Sequence, residues 1–114
     1  MQPSHLRTIQ LNRRQIRLSF AVDFTPHFED LSFEKRRLMV DSLEQRGKKA
    51  DVKYQVLAMT FDGNQIHGTI NVDVPGTFHG TQVLPASRQL IWNAIEQHWT
   101  KEQRGMIVGL RWVH

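Results

Sequence analysis

Hydrophobic and polar residues alternate between positions 13 and 24. Ile16, Leu18, Phe20, Val22 and Phe24 fall on one side; Arg13, Gln15, Arg17, Ser19, Ala21 and Asp23 fall on the other. A period of two marks a strand with one buried face. Residues 6–11 extend this strand or pair with it as a hairpin, and Pro26 stops it. The period then becomes helical over 32–46, where Leu38, Met39 and Leu43 form a stripe flanked by Phe33 and Val40. Ser32 is placed to cap this helix, Glu34 suits its positive end, and Gly47 after Arg46 suits the left-handed position that closes it.

Residues 52–61 read as a second strand with apolar side chains on both faces, which predicts a central or covered position. Asp62-Gly63-Asn64 is a hairpin turn. A third strand over 65–74 sets Ile66, Gly68, Ile70, Val72 and Val74 against His67, Thr69, Asn71 and Asp73. Pro75-Gly76 predicts a type II turn, with a short strand over 78–84 returning from it. Leu90, Ile91, Ala94, Ile95, His98 and Trp99 recur at helical spacing within 87–103, with Ser87 as cap, Gly105 beyond the end and His98 expected in the core. A closing strand over 106–113 sets Met106, Val108, Leu110 and Trp112 on one face.

The order β-α-β-β-(β)-α-β predicts one α+β domain over 13–114, preceded by a basic segment 1–12 that forms an arm or an extra strand. Two helices would pack on one face of a four- or five-stranded, mainly antiparallel sheet. With the short strand taken as a turn extension, this is a split βαβ pattern, the ferredoxin-like architecture. Taken as a full strand, it makes 32–103 read α-β-β-β-α, the element order of double-stranded-RNA-binding domains. The basic cluster expected at the start of their second helix is replaced here by Pro85-Ala86-Ser87-Arg88-Gln89.

Composition narrows the function classes. The 114 residues include no cysteine, which excludes disulfide scaffolds, thiol catalysis and cysteine-based zinc sites. No apolar run is long enough for a membrane-spanning helix, so a cytoplasmic protein without a membrane partner is expected. The net charge of +4 is local: residues 1–22 hold Arg7, Arg13, Arg14 and Arg17 and no acid. Removing those four from the 15 basic residues leaves 11, equal to the 11 acidic residues.

Pairing of the first and third strands would set Arg13, Gln15 and Arg17 beside His67, Thr69 and Asn71. Guanidinium, amide and hydroxyl groups together suit phosphates, sugars and base edges. Single-strand RNA readers stack bases on aromatic residues at such a face, and these positions have none. The leading expectation is therefore a non-enzymatic binder of RNA or DNA. Its phosphate contacts would come from Arg7, Arg13, Arg14 and Arg17, helped by Lys48, Lys49 and His67. The competing expectation is a small inhibitor, adaptor or accessory protein, monomeric or homodimeric. It would meet a protein partner through a sheet edge or through Trp92 beside Arg88.

A third expectation is enzymatic. His67-Gly68-Thr69 and His79-Gly80-Thr81 resemble the paired His-x-Thr motifs of two-histidine phosphoesterases. That resemblance implies acid–base work on a phosphodiester if both histidines enter one cleft. A hairpin centred on Pro75-Gly76 would instead leave them out of register. No nucleophile elbow, phosphate loop, chelating histidine spacing or concentrated carboxylate pair occurs, so no other catalytic residue, metal site or cofactor is expected.

Overall fold

The computed structural model describes residues 12–43, 47–49 and 52–113. Among these residues, five strands form one antiparallel sheet: β1 (Arg13–Phe24), β2 (Gly47–Lys49), β3 (Val52–Asp62), β4 (Gln65–Pro75) and β5 (Ile107–Val113). Their spatial order is β2-β3-β4-β1-β5. Helix α1 (Phe33–Leu43) lies between β1 and β2 in the chain; α2 (Gly80–His98) and the short α3 (Lys101–Gly105) lie between β4 and β5. The expected N-terminal arm lies outside the described residues.

The central pair is β1 with β4, in register from Arg13 opposite Pro75 to Asp23 opposite Gln65. Both strands alternate as their sequences require. Phe20, Val22, Phe24, Ile66, Ile70, Val72 and Val74 join Met39, Val40 and Leu43 of α1 and Val83, Leu90, Ile91 and Ile95 of α2 in one core.

Helix α1 begins where expected: the Lys35 N–H donates to Ser32 Oγ at 3.1 Å. Its buried residues are Met39, Val40 and Leu43, whereas Phe33 and Leu38, expected in or beside the stripe, are exposed. The Phe33 ring rests on Phe61 instead, with centroids 5.3 Å apart. Gly47 does not close this helix; it opens β2, opposite Tyr54.

The strand expected over 78–84 is not formed, because α2 starts at Gly80. Gln82 closes the first turn: its Oε1 accepts from the His79 N–H at 2.8 Å, and its own N–H donates to the His79 carbonyl at 2.9 Å. Pro85, which reads as a boundary, removes one N–H near the helix start without stopping it. Ser87 is consequently no cap. It is fully buried, and its Oγ donates to the Val83 carbonyl at 2.7 Å. His98 is exposed rather than in the core. Its neighbour Trp99 is buried, and its Nε1 donates to the Met39 carbonyl and to Ser42 Oγ, both at 2.9 Å, joining the ends of the two helices.

Two bulges change which residues face the core. Between Val56 and Ala58 the register shifts and Leu57 is left without a partner on β4. Val52, Tyr54 and Val56 pack inward before it, Met59 and Phe61 after it. The apolar residues on both faces of 52–61 therefore record a parity change, not two covered faces. On β5, Phe24 pairs with Ile107 and Asp23 with Gly109, so Val108 drops out of the expected face and is 70% exposed.

Gly68 stands opposite Phe20, and a Cβ there would lie 2.5 Å from the Phe20 ring and 2.8 Å from Met59 Sδ. Replacing Gly68 with Ala is expected to lower stability by about 1–3 kcal/mol through overpacking, read by urea unfolding. Gly68→Ala combined with Phe20→Leu should be less destabilised than the sum of the two, because the smaller side chain relieves the clash.

Candidate functional site

The helices cover one side of the sheet. Among the described residues, the other side is a polar face built by the odd-numbered positions of β1 and β4. Its rows follow from the register. Lys53, Asp73 and Gln15 lie side by side, then Gln55, Asn71 and Arg17 across β3, β4 and β1. The next row is Ala58, Thr69, Ser19 and Val113, followed by Thr60, His67, Ala21 and Arg111. Asp62, Gln65, Asp23 and Gly109 close the series.

Hydrogen bonds organise both ends of this face. At one end Arg13 Nε donates to Asp73 Oδ1 at 2.9 Å, and Asn71 Nδ2 donates to Gln15 Oε1 at 3.3 Å. At the other, His67 Nε2 lies 2.8 Å from Gln65 Oε1, and Gln65 Nε2 donates to Asp23 Oδ1 at 2.8 Å. Arg111 Nε completes the chain, donating to Asp23 Oδ2 at 2.8 Å. Between the ends the side chains are short. Ser19 Oγ and Thr69 Oγ1 hydrogen-bond to each other at 3.2 Å. Around them lies an open hollow of about 330 Å³, lined from the face by Ser19, Ala58, Thr60, His67, Thr69 and Val113. Ala21, though it points to this side, is fully buried between His67 and Arg111.

The expected phosphate-binding residues divide. Arg13, Arg17 and His67 share the open face. Arg14 does not, because adjacent residues of a strand point to opposite sides; its guanidinium donates to the Phe78 carbonyl. Lys48 and Lys49 belong to β2 at the sheet edge, with Lys48 opposite Lys53. Arg7 lies outside the described residues. The sequence reading missed Lys53, Gln55 and Arg111. Lys53 and Gln55 were legible in the alternation over 52–56, and Arg111 in its position between Leu110 and Trp112.

Charge on this face is partly used up internally. Arg13 neutralises Asp73, and Arg111 neutralises Asp23. Arg17 is exposed and has no hydrogen bond or ion pair among the described residues. Tyr54 adds no charge, since it packs in the core and burial pushes its hydroxyl above the ordinary value of 10.0.

The other candidate groups do not converge. His67 lies near the start of β4, whereas His79 follows its far end, so roughly 25 Å of strand separates them and they share no cleft. Trp92 is half-buried and packs against the core, with Arg88 half-buried one turn earlier on α2. Among the described residues, no group of three or more His, Asp or Glu side chains comes together as a metal site.

The unequal use of these charges has a measurable counterpart. Arg17→Ala is expected to leave stability within about 0.5 kcal/mol of the parent, because no contact is lost. Asp23→Ala should cost about 1–2 kcal/mol, because it strips partners from both Gln65 and Arg111. Chemical unfolding of the two variants side by side checks this.

No protein-family model, curated protein or solved structure matches this chain.

Proposed function

We propose that this chain is a non-enzymatic nucleic-acid-binding domain of ferredoxin-like architecture that meets phosphates through its open sheet face. The fold assignment draws support from the neighbour order β3-β4-β1-β5, with every pair antiparallel. It is reached by two helical crossovers, and β2 and α3 are additions to it.

One observation carries the functional reading: Arg17, unpaired among the described residues, in the middle of a polar face. The carboxylates of Asp23 and Asp73 already have arginine partners, so they do not compete for it. A guanidinium fork left free in this way binds a phosphate bidentately. Gln15, Gln55 and Asn71 surround it with amide groups suited to sugars and base edges. Lys53 adds a second cation on the same face, and Arg7, Lys48 and Lys49 would extend the contact beyond it.

Filter binding over a salt series tests the proposal. With about four phosphate contacts to a single strand, the log–log slope should be near −3. Removing one contact by Arg17→Ala or Lys53→Ala should flatten it by about 0.7 and weaken all sequences alike. Absence of affinity, or affinity indifferent to both substitutions, would sink the proposal.

A protein partner is the second reading, and β5 is what favours it. Among the described residues this strand borders only β1, exposes Val108, and contains neither lysine nor proline. The opposite edge differs: β2 is only three residues long, and two of them are lysine. An unguarded edge accepts an added strand from another chain. Under this reading, a purified partner should lose affinity when Val108→Lys is introduced and keep it with Arg17→Ala. Isothermal titration of both variants separates the two cases.

A further inference from the structure

Resting on the nucleic-acid reading above, we infer that the hollow at the centre of the open face seats one unstacked base of a single strand, whose phosphate lies on Arg17. The hollow exists because the central rows are built from short side chains. Ala58, Thr69 and Ser19 stand next to one another across β3, β4 and β1, with Thr60 and Ala21 in the following row. Longer side chains flank them: Arg17, Gln55 and Asn71 in the row before, and His67 and Arg111 within the row of Thr60 and Ala21.

This shape explains how a face without aromatic residues could still take up a base. The methyl groups of Ala58, Thr60, Thr69 and Val113 offer an apolar bed to the flat side of a ring. About 330 Å³ falls within the range of small-ligand sites. The Ser19 and Thr69 hydroxyls share one hydrogen bond, which leaves one O–H of the pair to donate elsewhere. At the rim, Asn71 donates through Nδ2 to Gln15, and His67 contacts Gln65 through Nε2. Asn71 Oδ1 and His67 Nδ1 have no partner among the described residues, which leaves an acceptor and a ring nitrogen for a base edge.

Distance and strandedness follow from the same geometry. Arg17 is the next outward residue along β1 from Ser19, about 7 Å away at the strand repeat. That is comparable with the separation of base and phosphate within one nucleotide. A duplex keeps its base faces inside its own stack, so only a single strand or a loop could fill the hollow.

The test compares two labelled probes by fluorescence anisotropy on the full chain: a short thymidine oligonucleotide and an abasic backbone of equal length. The inference expects the abasic probe to bind about five- to tenfold more weakly, at the low end of what a seated base contributes. Ala58→Leu, which fills the hollow without altering charge, should remove that difference while leaving the abasic affinity in place. The probe comparison on the unaltered chain needs no variant, so it holds even if Ala58→Leu fails to fold. Equal binding of both probes, still weakened by Arg17→Ala, would overturn the base seat and leave the phosphate proposal standing. Failure of both probes to bind would overturn the two together.

Discussion

The register of β1 against β4 is the constraint on which the rest depends. From Ile16 to Val22 on β1 and from Ile66 to Val74 on β4 the even positions are apolar or glycine, and every odd one but Ala21 is polar, so a slip of one residue would turn a polar row into the core. The Phe20 ring over Gly68 locks that register, since only a residue without a side chain leaves room for it. Trp112 meets the Phe20 ring edge-on, with centroids 6.5 Å apart, and so ties β5 to the same point. Helices α1 and α2 then close over the apolar side, joined by the two hydrogen bonds from Trp99 Nε1. The open polar face is the other half of the same register.

Much of this was legible in the sequence, and the reasons are local. The alternations over 13–24 and 65–74 are uninterrupted, so strands, facing and pairing all follow from the period. Ser32 signalled a helix start because a capping hydroxyl acts within its own turn. What escaped were the places where a local signal is overridden. Pro85 reads as a boundary, yet α2 runs through it because Val83 and Leu90 are buried on either side of it. Leu57 and Val108 break the period by one residue each, and a period read straight through them assigns the wrong face.

The candidate site was legible only in part. Arg13 and Arg17 were placed on one face by their parity. That their electrostatic situations differ was not visible, because it depends on Asp73, 60 residues away along the chain. Arg14, next to Arg13 in sequence, turns to the other side of the sheet and donates to the Phe78 carbonyl. The hollow had no sequence signature at all. It arises from short side chains on three strands that meet only after the sheet has formed.

The bulge at Leu57 also bears on how this sheet can vary in length. Leu57 is the one residue of β3 that the ladder with β4 does not count between Lys53 and Asp62. Without it, Val56 would still face the core and Ala58 the open side, in ordinary alternation. Loss of a residue inside the unbroken β1–β4 ladder would turn over every side chain after it. Removal of Leu57 would thus keep the facing of β3 on both sides of it, next to Ala58 at the edge of the hollow.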